Sequence, residues 1–234
     1  MSSRGTGITL AVGVVAGIIG YMLWQMTIGF NTAADDLPTI LQNSASGATA
    51  LQLVAVLVGV GLSVHLAGLW GTRGTASGTY ESLGILLITV AIISWVIGIS
   101  DILATAELGK SFVAALPGAS AGDPAATALV GRILVTEGAT QASGNASGDI
   151  GGLLAGLGWI SMGLAYRGSD FKGALSFLPL GWLAIVAGTL LVVSILVITS
   201  TVGREVASQV NGICFLLITL WSISVGVKLA TNSD

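Results

Sequence analysis

Apolar residues along this chain gather into six long runs, separated by shorter stretches that hold nearly all the charge. The runs cover roughly 7–30, 50–71, 82–105, 149–166, 175–200 and 207–229. At about 1.5 Å of rise per residue, a helix of that length covers the roughly 30 Å of hydrocarbon in a bilayer. The pattern therefore predicts an all-α, polytopic transmembrane bundle with about six spanning helices, forming a single integral membrane domain over 1–234. The fourth run is the shortest and is rich in glycine. The first resembles a signal peptide, because Arg4 precedes it, but its apolar stretch exceeds an h-region and reads as a span.

Between the third and fourth runs lies 107–148, rich in Ala, Gly, Ser and Thr. It reads as a long outer loop. Within it, 125–135 is apolar, too short to cross, and carries Arg132, which predicts one short interfacial or re-entrant helix. Gly118–Gly122 reads as a flexible link.

Composition sharpens the class. Apolar residues make up 53% of the chain and charged residues 8%. A soluble domain carries about 25% charged residues, so too few are present here to solvate a water-facing surface. One cysteine, Cys214, excludes an intrachain disulfide or a thiolate metal site, and one histidine, His65, excludes paired haem ligands. No cofactor and no metal are expected. The net charge of −3, with no basic cluster, excludes nucleic acid as a partner. Membrane lipids are the expected surroundings, with further copies of the chain or a larger membrane complex as partners.

Lysine and arginine set the expected orientation in a cell membrane. Placing both termini in the cytoplasm gives that side Arg4, Arg73, Arg167, Lys172 and Lys228, and gives the other Lys110, Arg132 and Arg204.

In lipid, helices cohere through close packing of small residues rather than through hydrophobic exclusion. Candidates for that role are Gly13, Gly17 and Gly20 on the first span, Gly59 on the second, and Gly84 and Gly98 on the third. Gly152, Gly156 and Gly163 on the fourth span and Gly188 on the fifth complete the set.

Three ionisable residues are candidates for ion or proton binding. Asp101 lies in the outer third of the third span, on a face with Ser94, Gly98 and Thr105, where an ionised carboxylate is costly unless it meets water or a partner. Glu107 follows about a turn and a half later. His65 lies toward the inner end of the second span, and its charge changes near neutral pH. Each also has a plain structural reading, as a polar group bonded locally to a neighbouring hydroxyl or carbonyl. His65 and Asp101 lie toward opposite faces, so they can be stations on a path but not one catalytic dyad. No set of catalytic groups converges at one depth, and no enzyme is expected. The first functional expectation is a structural or accessory membrane subunit. The alternative is a small-solute or ion/proton transporter or channel using Asp101 with His65 or Glu107.

Overall fold

The computed structural model describes residues 3–76 and 78–231. All regular structure among them is helical. Helix α1 is Ser3–Ile28, α2 Leu37–Ser46, α3 Ala48–Gly71, α4 Thr79–Ser120 and α5 Pro124–Arg167. Helix α6 runs over Leu180–Thr201 with a π-helical turn at Ser194–Ile198, and α7 is Arg204–Thr231. All but α2 are long and apolar enough to cross a membrane. The chain is thus a multi-pass membrane protein built as a helical bundle.

The six long helices stand in a ring in chain order. Each packs against the next, α1 on α3, α3 on α4, α4 on α5, α5 on α6 and α6 on α7, and α7 closes the ring against α1. Residues 3 and 231 lie at the same end, called here the terminal side; the opposite end is the distal side. The closest approaches fall at glycines, where a Cβ would collide with backbone. At Gly13 it would lie 2.2 Å from His65 N, at Gly84 2.9 Å from Gly158 O, and at Gly163 2.5 Å from Gly181 O. Gly156 and Gly188 face each other's carbonyls across α5 and α6, at 2.8 and 2.4 Å. Gly20, Gly98 and Gly152 abut side chains, those of Val58, Ser147 and Ile195. At Gly17 and Gly59 an added Cβ would sit 3.5 Å from a leucine or isoleucine methyl, an ordinary contact. Further backbone-close glycines are Gly7, Gly61, Gly68, Gly109, Gly158, Gly181 and Gly226.

The region 107–148 is not a loop. Helices α4 and α5, with 42 and 44 residues, each extend about 65 Å and stand some 30 Å clear of the hydrocarbon as an antiparallel hairpin. Segment 125–135 is the middle of continuous α5 rather than a separate interfacial helix. What makes this possible is a spacing of small and apolar positions that continues past the membrane. Thr105, Gly109 and Phe112 on α4, with Ile133 and Glu137 on α5, keep the alternating three- and four-residue steps of paired helices and are buried. The hairpin turns at Gly122, whose φ of +84° suits glycine alone. Asp123 then caps α5 by accepting from Ala125 N at 2.8 Å, with Pro124 in the first turn.

Helix α2, which the apolar runs do not reveal, lies against this hairpin. Asp36 caps it and Pro38 starts it. Leu41 packs with Phe112 and Ile133 in a small core separate from that of the bundle. Gly109 brings the two helices together; a Cβ there would lie 2.4 Å from Leu41 O. At the other boundary, α6 begins at Leu180 with Pro179 as its cap, so 175–179 precedes the helix.

Candidate functional site

The ring is filled in one half and hollow in the other. On the terminal side, large side chains from opposite helices meet across the axis. Trp159 of α5 and Trp221 of α7 stack edge to face at 5.0 Å, and Tyr166 adds a second such contact to Trp221 at 5.1 Å. Leu10, Leu69, Ile85, Met162 and Val225 complete a layer without exposed surface. The loops beneath are knitted to it. Glu81 is buried in the first turn of α4 and accepts from Gly74 N at 2.8 Å and Ala76 N at 3.1 Å, while Ser169 Oγ donates to Thr75 O at 3.0 Å.

Above this plug lies a cavity of about 700 Å³. Its floor includes His65, Ile88, Trp159 and Thr219, and its walls are largely aliphatic, with Val14, Ile92, Leu191 and Ile218 among them. Midway, Tyr21, Phe215 and Trp95 form an aromatic arc, with ring centroids 5.3 and 5.6 Å apart in edge-on pairs. Trp95 fits there because α5 has Gly151 beside its indole. The π turn in α6 borders the same space through Ile195, where Ser194 Oγ donates to Ala207 O at 3.0 Å and draws α6 to α7. Such turns widen a helix locally and are common beside functional sites.

Polar groups collect at the distal rim. Arg204 holds Asp149 through two bonds, at 3.2 and 2.8 Å. Glu205 accepts from Ala34 N at 3.0 Å. Gln25 donates to Tyr21 Oη at 3.0 Å and Ser208 Oγ at 2.8 Å, linking α1 to α7. Asn211 Oδ1 is buried with no hydrogen-bond partner among the described residues.

The three candidate ionisable residues part company here. Asp101 lines the rim, backed by Gly144 of α5, with neither hydrogen bond nor ion pair among the described residues. His65 lines the floor; its Nδ1 lies 3.1 Å from Leu10 O, so Nδ1 carries the proton and Nε2 is the free acceptor. Glu107 does neither. It is exposed on the hairpin and pairs with Lys110 at 2.6 Å, outside the cavity.

Glu137 went unnoticed in the sequence because it sits in the apparent loop. It is fully buried about 45 Å along α5 from Arg167, beyond the span at 149–166 and level with Thr105 at the distal end of the third span. Its Oε1 takes hydrogen bonds from Thr105 at 2.9 Å and Gln141 at 2.8 Å, while Oε2 has no partner among the described residues. Burial pushes this carboxyl above the usual carboxylate range; the two bonds pull it down, and the nearby charge of Asp101 pushes it further up. Its seven-residue spacing from Val130 and Gly144, on the inward face of α5, was the legible signal.

Among the described residues no group of three or more metal-ligating side chains converges. The fold and cavity together define a multi-pass helical membrane protein whose ring holds a cavity in its distal half. Comparison with protein-family models, curated proteins and solved structures finds no match.

Proposed function

We propose that this chain is a non-enzymatic membrane carrier that admits a small guest from the distal side into the central cavity, with Asp101 at the mouth and His65 at the bottom. The observation that carries this reading is that one cavity touches both residues, while a plug of aromatic side chains closes the other half of the ring. A bundle whose sole task is cohesion gains nothing from 700 Å³ of internal space, since unfilled volume forfeits packing energy. The bias of Arg4, Arg73, Arg167, Lys172 and Lys228 supports a cytoplasmic terminal side, so the chamber opens away from the cytoplasm.

A second reading, an accessory subunit, draws support from the hairpin. It carries exposed Val113, Leu129 and Val135 well outside the bilayer, a surface suited to a neighbouring subunit or another copy of the chain.

Cysteine labelling tests the first reading. In a Cys214→Ser background, Ser208→Cys at the rim and Gly212→Cys in the wall are expected to react with a membrane-impermeant maleimide from the distal face only. Ser222→Cys, within the plug, is expected to stay unlabelled from both faces. An inert Gly212→Cys in folded protein would remove the chamber from consideration and leave the accessory reading.

A further inference from the structure

The cavity's shape and rim identify a class of guest. From Asp101 down to Ile88 it follows α4 for about 20 Å. This elongated shaft matches the reach of an extended hydrocarbon chain. Its walls are mainly aliphatic and aromatic, with His65, Asn211 and Thr219 as scattered polar groups, so they replace little of the water that a polar guest would shed, whereas each buried methylene of a chain gains about 0.8 kcal/mol.

The rim decides the head. Four charged side chains border the cavity there, three carboxylates (Asp101, Asp149 and Glu205) and one guanidinium. The charge of Arg204 is balanced by Asp149 through two hydrogen bonds, and Glu205 accepts from Ala34 N. Asp101 is the charged rim group with no partner among the described residues, and it lies at the membrane border, within reach of a head whose tail occupies the shaft. An anionic head would meet surplus negative charge, and a neutral head would leave Asp101 uncompensated. We propose that the cavity takes a single-chain amphiphile with a protonated amine or quaternary ammonium head, which rests on Asp101 while the tail descends toward Trp159. This inference rests on the carrier reading and adds the guest's chemistry to it.

The test uses full-length protein in phosphatidylcholine nanodiscs, with empty discs subtracted, and radiolabelled dodecylamine as the probe at neutral pH. Saturable binding is expected, with dodecanol competing weakly and dodecanoate more weakly still. Asp101→Asn is expected to weaken amine binding about ten- to hundredfold, the worth of a charge-assisted bond, and to bring it level with dodecanol. Asp101→Glu retains binding, and this separates lost charge from lost fold. Gly212→Leu, whose Cβ has room 3.8 Å from Tyr21, extends into the shaft and should abolish binding of all three compounds. If Gly212→Leu blocks binding but Asp101→Asn does not alter it, the amine head is refuted and the chamber survives. Dodecanoate as the best competitor refutes it equally. If Gly212→Leu changes nothing, the guest is outside the shaft and both readings fall together.

Discussion

Glu137 condenses the chemistry of single residues in this protein. Thr105 and Gln141 both donate to one oxygen of a carboxyl that is wholly buried, and the other oxygen has no partner among the described residues. Burial favours the neutral acid, so its pKa in the folded protein lies above the ordinary 4.5. The stabilisation it lends is complete below the unfolded value and drains away as pH climbs through the raised folded value. A bimane dye on Gln42→Cys, exposed on α2, should therefore report loosening of α2 as buffer passes from mildly acidic to alkaline. Glu137→Gln should flatten that response; an unchanged response would exclude Glu137 as its source. Glu137→Ala leaves both donors unpaired and should cost about 1–3 kcal/mol, read as a lower melting temperature. The sequence displayed Asp101 and His65 plainly, since a polar residue in an apolar run stands out. Glu137 was hidden because a polar residue among Ala, Ser and Thr attracts no notice until the periodicity around it is counted.

Helices differ in how much side chain they tolerate at a crossing, and the glycines divide accordingly. Gly188→Val would drive a branched side chain into Gly156 O and Ile160 N, where backbone cannot yield, so the α5–α6 pair should lose about 1–3 kcal/mol or more. Gly17→Ala meets only a leucine methyl at 3.5 Å and should leave thermal stability in detergent within error of the parent. At the hairpin, Phe112→Ala removes the largest side chain of the small core under α2. The expected loss is about 3–5 kcal/mol locally, read as faster amide exchange over 37–46 with the spans unaffected. All six spans were legible because hydropathy reports what lipid surrounds. It does not report a water-facing pair of alanine-rich helices, which show only narrow stripes such as Thr105–Gly109–Phe112. Nor does it report α2, whose ten residues fall below the length of any span.

At the scale of the molecule, chain order and ring order coincide, so each neighbouring pair of long helices but one is joined directly by the chain between them. The exception is α1 against α7, where Gly7 and Gly226 pack backbone to backbone near the two ends. A circular permutant linking residue 231 to residue 3 and opened at 121–122 should fold, because the new break falls in an exposed turn and the new link spans neighbours. Its melting temperature should match the parent; failure to assemble would mean that the hairpin turn directs the order in which helices insert.

That same unbridged seam runs alongside the chamber, and on the distal side Tyr21 and Gln25 of α1 fasten it to Ser208 of α7. A hoop with a single clasp yields first at the clasp. Were those three hydrogen bonds to part, the well would become a trough with one flank open to the acyl chains of the surrounding leaflet, and an oily occupant could slip sideways into the bilayer while its head stayed at the water's edge.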